Sequence, residues 1–370
     1  MNNRERFVAW MLGQKVDRPP FWLRWGGWAS TWRRWRAEGM PESIRGMGEI
    51  AAMFGADATT ATVPVNYGPC PCQPDRVLRE DDDYIVFVDN WGITRRNPKH
   101  NESMSEFISF PVKSRADWER FRDERLNPDD PRRLEGDWLE RARQWMARGQ
   151  PIQLGDYPDV GTFGSVRWLL GDEDGLVAYL DQPELVQEIM DHCTSLYLTV
   201  FEKVVRAGVR VDVVHIWEDM CGRQGPLISP AMVRQFMAPC YRRIKAFCRE
   251  HDIPLMSVDT DGKPHLIVPP MMEAGVNYIW PWEVAAGCDV NQVRRQFPEL
   301  ALMGGIDKRA LAVGPAAIDA ELDRIRPAVA AGRYVPELDH GVPDNVSWEN
   351  YCHYAGRLRR LVYDTPVRHS

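Results

Sequence analysis

Residues 251–283, HDIPLMSVDTDGKPHLIVPPMMEAGVNYIWPWE, decide the fold. An apolar run, Pro254–Val258, is followed by acids at Asp259 and Asp261. A helical pattern then ends at Glu273-Ala274 with Gly275 beyond it, and a second run, Asn277–Trp280, follows. Both runs are short and mostly apolar on both faces, as strands of a parallel sheet covered by helices must be. Strand, helix and strand in that order predict a parallel pairing.

The same alternation extends in both directions. Further runs occur at Phe21–Trp25, Thr59–Val65, Ile152–Gly155, Val213–Trp217, Leu300–Met303 and Tyr334–Leu338. Between them, Ser229-Pro230 opens a helix with a serine N-cap and a proline at the first helical position. In that helix Val233, Phe236, Met237, Cys240, Ile244 and Phe247 repeat at helical spacing. Another helix runs from about Glu184 and is stopped by Gly208. Eight alternating strands predict closure into a single (β/α)8 barrel spanning the chain. A doubly wound sheet is disfavoured, because no GxGxxG follows the first run. Residues 66–150 interrupt the alternation and read as an insertion: a loop, a polar hairpin around Tyr84–Val88 and Gly92–Arg95, and a charged helical cap from 101 to 150 over the barrel mouth.

Composition narrows the function. The chain has 370 residues, 44% hydrophobic and 27% charged, with a net charge of -7 and scattered basic residues. Nucleic-acid binding needs a basic stripe, and none is present. No stretch reaches the roughly 18 apolar residues that span a membrane. The N-terminal MNNRERFVAWMLGQ reads as a short amphipathic helix rather than a secretory signal, since Arg4, Glu5 and Arg6 break its apolar residues. A cytoplasmic protein is expected. Its eight cysteines are expected to be reduced, and Cys70-Pro71-Cys72 reads as loop packing.

In a barrel, the polar residues just after each strand line the catalytic mouth. Here they are acidic and aromatic: Arg24, Trp25 and Trp28; Asp156 and Tyr157; His215, Glu218 and Asp219; Asp259, Asp261 and His265; Trp280, Trp282 and Glu283; Asp307 and Lys308; Glu337, Asp339 and His340. Carboxylates concentrate at strand ends when they hold a metal, a cation or a polyol, or carry protons. Some have plainer readings. Glu218 and Asp219 also suit a loop cap, Asp307 an N-cap, His215 a satisfied core histidine, and Lys308 the surface. The functional candidates are Glu218, Asp259, Asp261 and His340 as catalytic groups. Arg24, Trp25, Trp28, Tyr157, His215, Trp280, Trp282, Glu283 and Glu337 are candidates for the substrate wall.

Five fragments in order, DRPPFWLRWGGW, IWEDMCGRQGPLISP, SVDTDG, LALMGGIDKRAL and YVPELDHGVP, resemble the uroporphyrinogen decarboxylase superfamily across nearly the whole chain. The resemblance implies one of two chemistries: cofactor-free decarboxylation of a porphyrinogen, or zinc-dependent methyl transfer involving a corrinoid protein. For the first, Arg24 matches one mouth arginine, the second falls on Trp28, no acid stands near Thr62–Val65, and His340 matches the histidine of a GHG motif. For the second, the HxCG zinc motif falls on Asp259-Thr260-Asp261-Gly262, and the late cysteine falls on or next to His340. The resemblance therefore implies Asp259, Asp261 and His340 as a metal set, for zinc with an oxygen substrate, for a harder ion such as manganese or magnesium, or for no metal at all. The expected function is a methyltransferase or demethylase moving methyl from a small O- or N-methylated compound to a corrinoid protein, with Glu218 supplying or orienting a proton. The alternative is a cofactor-free decarboxylase or lyase on a small carboxylated substrate, with Arg24 gripping the carboxylate and His340 as acid. A third reading is a non-catalytic binding protein. A homodimer is expected from the family.

Overall fold

The computed structural model describes residues 1–100 and 104–366. Thirteen strands occur among them. The strands β1 (Ala61–Thr62), β6 (Ile152–Leu154), β7 (Val213–Trp217), β10 (Leu255–Asp259), β11 (Tyr278–Trp280), β12 (Ala301–Ile306) and β13 (Tyr334–Leu338) form one parallel seven-stranded sheet in that order. Strands β2 (Arg76–Glu80), β3 (Tyr84–Val88), β4 (Thr94–Pro98) and β5 (Glu106–Ser109) form a separate antiparallel sheet, and β8 (Cys221–Gly222) with β9 (Gly225–Pro226) a small ribbon.

The parallel sheet is curled, and its two faces carry separate cores. Alternate residues Val214, Ile216, Met256, Val258, Ile279 and Leu302 pack outward against the helices. Their neighbours Val213, Leu255, Tyr278, Ala301, Met303 and Val335 pack inward, around Trp22. The N-terminal helix Asn3–Met11 joins this inner core. It begins in a capping box, the Asn2 side chain accepting the Glu5 N–H and Glu5 returning to Asn2 N. It sets Phe7 against Trp22 with ring centroids 4.6 Å apart, and Trp10 Nε1 donates to Tyr334 O.

One expected strand differs. Phe21–Trp25 joins no ladder among the described residues, and the nearest pairing is a single parallel bridge, Gly27 to Val342. Pro19 and Pro20 at its start carry no N–H, and side chains take the place of a neighbouring strand. Phe21 N donates to Asp57 Oδ2 at 3.0 Å, and Arg24 N to Glu337 Oε2 at 2.7 Å. The segment thus lies between the two ends of the sheet, held by these carboxylates and by a backbone bond from Asp57 N to Phe21 O rather than by a ladder.

The 66–150 region also differs from expectation in part. The hairpin is there as β3 and β4, but Glu106–Ser109 is a fourth strand rather than helix. Residues 101–103 lie outside the described residues. The helix Arg115–Arg125 packs along the flank, not over the mouth: Trp118 Nε1 donates to Glu188 of the helix Pro183–Arg206 at 2.9 Å. What reaches the rim is the β3–β4 turn, where Trp91 Nε1 donates to Asp159 Oδ1 at 3.0 Å.

Candidate active site

The C-terminal ends of the parallel strands gather an aromatic column. The His215 ring, on β7, stacks against Trp280 of β11 at 5.1 Å, with its Nδ1 2.7 Å from Ser257 Oγ. Burial and the nearby Arg24 push this imidazole down to about 3, so it stays neutral. Arg24 lies over the Trp280 ring at 4.9 Å, Trp25 sits 6.2 Å from Trp280, and Trp25 stacks on His340 at 5.1 Å, nearly parallel. His215, Trp280, Arg24, Trp25 and His340 come together as expected.

The carboxylates sort into two kinds. Asp259, the last residue of β10, and Asp261 have no hydrogen bond to their side chains among the described residues, and Asp261 Oδ2 lies 3.9 Å from His340 Nε2. Burial raises both acids, and the charges of Asp219 and of neighbouring acids add to it; Asp261 reaches about 7. The other rim acids are engaged. Asp219 pairs with Arg167, Glu283 Oε2 accepts the Gly262 N–H at 2.9 Å, and Asp339 accepts Val284 N and Lys308 N. Close packing allows this: Gly262 has φ +71°, and a Cβ there would fall 2.5 Å from Gly222 O. Two non-glycine residues just beyond strand ends, Asp219 and Trp282, also hold left-handed backbone, at φ 42° and 60°.

Several expected site residues do other work. Glu218 is fully buried, and its carboxylate accepts from Thr162 N, Thr162 Oγ1, Gly164 N and Tyr241 Oη at 2.6–3.1 Å. It caps the helix Phe163–Leu170, where orphan N–H groups favour an anion. It is a positioning residue with no oxygen left for a substrate. Glu337 clips Arg24 N to β13 and accepts Leu338 N, so it too is a strut. Trp282 is fully buried, its Nε1 donating to Ile279 O, and belongs to the outer core rather than the mouth. Trp28 occupies the N-cap position of the helix Ala29–Ala37 without a side-chain capping bond, and its ring is exposed. Tyr157 stands on the rim, edge-on to Trp217 at 5.0 Å. Lys308 reads in the sequence as a surface residue, because a lysine after a capping aspartate ordinarily points to solvent. It is half-buried, and its charge acts on Asp261, Asp339 and His340.

The expected metal set does not fit. The Gly341 N–H donates to His340 Nδ1 at 2.8 Å, which places the proton of the neutral ring on Nε2, the nitrogen facing Asp261. A ligand nitrogen needs that lone pair free. Among the described residues, no three His, Cys, Asp or Glu side chains converge to hold an ion.

The uroporphyrinogen decarboxylase (URO-D) family model matches residues 173–360, from just before the helix Pro183–Arg206 to within the last helix. The chain belongs to that family. Uroporphyrinogen decarboxylase of Pseudomonas aeruginosa is 28% identical over 174 residues, 45% of each chain. That of Granulibacter bethesdensis is 26% identical over 184 residues, 48% of this chain and 50% of the relative. The chain thus spans about half the length of the curated relatives it matches. In fold, it resembles a methyltransferase from Methanosarcina mazei over 97% of this chain and 99% of that one, with a TM-score of 0.61 and 15% identity. The family match covers Asp259, Asp261 and His340 but not Arg24 or Trp25.

Proposed function

We propose that this URO-D family member is a cytoplasmic methyltransferase that takes methyl from a small O- or N-methylated compound and delivers it to a corrinoid protein. In this reading Phe21–Trp25 closes the barrel as its eighth stave. One observation carries it: two carboxylates without protein hydrogen bonds, Asp259 and Asp261, stand at the same mouth as an aromatic wall of Trp25, Trp280 and His340. Such a wall suits a methyl-bearing group, and the acids suit a positive or protonated partner. A porphyrinogen with many carboxylates would meet repulsion here.

The corrinoid is a co-substrate that supplies the electron pair for the new carbon–cobalt bond. The chain's own residues handle the leaving group. With an O-methyl donor, the C–O bond breaks, the oxygen keeps its electron pair, and the proton of the Asp261 carboxyl moves to it. The Nε2–H of His340 then faces the ionised carboxylate. Glu218 holds the loop after β7 in place and transfers no proton. The test is incubation of the purified protein with free reduced cobalamin and a panel of methylated alcohols, phenols and amines, with demethylated product followed by mass spectrometry. Demethylation dependent on both protein and cobalamin supports the reading; none across the panel sinks it.

A second reading has its own observation. The Nε–Nη2 edge of Arg24 has no partner among the described residues, which suits a carboxylate and hence decarboxylation of a small acid, with the carbanion protonated by Asp261. Carbon dioxide release without cobalamin would favour it.

A further inference from the structure

We infer that the substrate of this mouth is a small zwitterion, a quaternary methylammonium compound that carries its own carboxylate. The inference rests on the methyl-transfer reading and narrows its substrate. A guanidinium without an ion pair and two acids without hydrogen bonds share one mouth among the described residues, with Arg24 near enough to act on the charge of Asp259. Arg24 makes no ion pair among the described residues; its Nη1 donates to Thr60 Oγ1 at 3.2 Å, and its flat face lies on Trp280. That fixes the plane of the guanidinium and leaves the Nε–Nη2 fork for a carboxylate. Among the described residues, Asp259 and Asp261 are the mouth acids without hydrogen bonds to their carboxyl groups, whereas Asp219, Glu283 and Asp339 are already bonded. Lys308 offsets the far side of the acid group, beside Asp339 and His340. Trp280 runs from Arg24 to Trp25, and Trp25 continues the aromatic surface to His340.

A neutral methoxy group would give Asp259 and Asp261 no counter-charge when they ionise, and a bare anion would meet them directly. A methylammonium cation is held by the acids and by the half-buried Trp25 ring beside them. Its chemistry also explains the misfit of the metal donors. When the C–N bond breaks, nitrogen keeps the electron pair and leaves as a neutral tertiary amine, so neither a Lewis acid nor a proton is needed. The methyl goes to the electron pair of the reduced corrinoid, and charge balances.

Calorimetric titration tests binding apart from turnover. The probes are trimethylglycine and its longer homologue 4-(trimethylammonio)butanoate, with choline as a cation lacking a carboxylate and methoxyacetate as a carboxylate lacking the cation. At least one zwitterion should bind about tenfold or more tightly than choline or methoxyacetate. Arg24→Gln should bring that zwitterion to choline's level, with the circular dichroism spectrum unchanged. Equal binding of choline or methoxyacetate, or no zwitterion binding at all, overturns the inference. Tight zwitterion binding without methyl loss to reduced cobalamin retains the substrate class and removes the methyl-transfer reading instead.

Discussion

His340 presents a protonated Nε2 to Asp261, 3.9 Å from its Oδ2, because the amide of the very next residue, Gly341, occupies Nδ1. One backbone hydrogen bond thereby turns a metal-ligand position of the family pattern into a hydrogen-bond donor beside a carboxyl group. The consequences can be measured.

The first concerns metal. Purified protein titrated with zinc should show no stoichiometric site at Asp259, Asp261 and His340, and chelator treatment should leave activity intact. One equivalent of zinc that vanishes in Asp261→Ala would reverse the assignment.

The second concerns pH. Asp261 ionises at about 7, held up by burial and by Asp219, Glu283 and Asp339, against Lys308; His340 faces it as a neutral donor. A quaternary ammonium substrate does not titrate, so its binding follows the carboxylate, and kcat/KM should rise as pH climbs through about 7. For an O-methyl donor that takes its proton from Asp261, the same profile should fall. The sign of the slope separates the two.

The third concerns stability. A carboxyl whose folded pKa is raised from 3.8 to about 7 makes the fold less stable as pH rises between those values, since the folded state holds the proton longer. Asp261→Asn removes this cost and should raise the melting temperature by about 1–3 °C at pH 8, with no gain at pH 4, while abolishing turnover. An unchanged melting temperature at pH 8 would show that the site is better solvated than its burial implies.

The fourth concerns Glu218. Glu218→Ala leaves the buried donors of Thr162, Gly164 and Tyr241 without their acceptor and should cost at least about 3 kcal/mol in urea unfolding. Glu218→Gln keeps one acceptor oxygen and should fold with a smaller loss and measurable activity. If the glutamine variant is as stable as wild type yet inactive, Glu218 transfers a proton after all.

Much of the framework was legible in the sequence. Local pattern and capping found β7 and β13 at their observed bounds, the Ser229-Pro230 helix start and the stop beyond Arg206, because these depend on residues a few positions apart. The pairing of Asp259 with Asp261 and the approach of His340 were legible too, through strand ends and the family pattern. The exception within the framework is Phe21–Trp25, whose apolar run promised a strand but whose amide partners are the carboxylates of Asp57 and Glu337, far along the chain.

What only the tertiary structure decided is which acids are free. Glu218 and Asp259 look alike at strand ends, yet one carboxylate is consumed by Thr162 and Tyr241, 56 and 23 residues away, and the other has no such partner among the described residues. Lys308 likewise becomes a mouth residue only because β13 brings Asp339 and His340 beside it. The sequence by itself determined the alternation of strands and helices, the family and the ring of acidic and aromatic residues. The fold then divided that ring into struts and free groups, because a buried carboxylate is defined by its hydrogen-bond partners, and those arrive from distant parts of the chain.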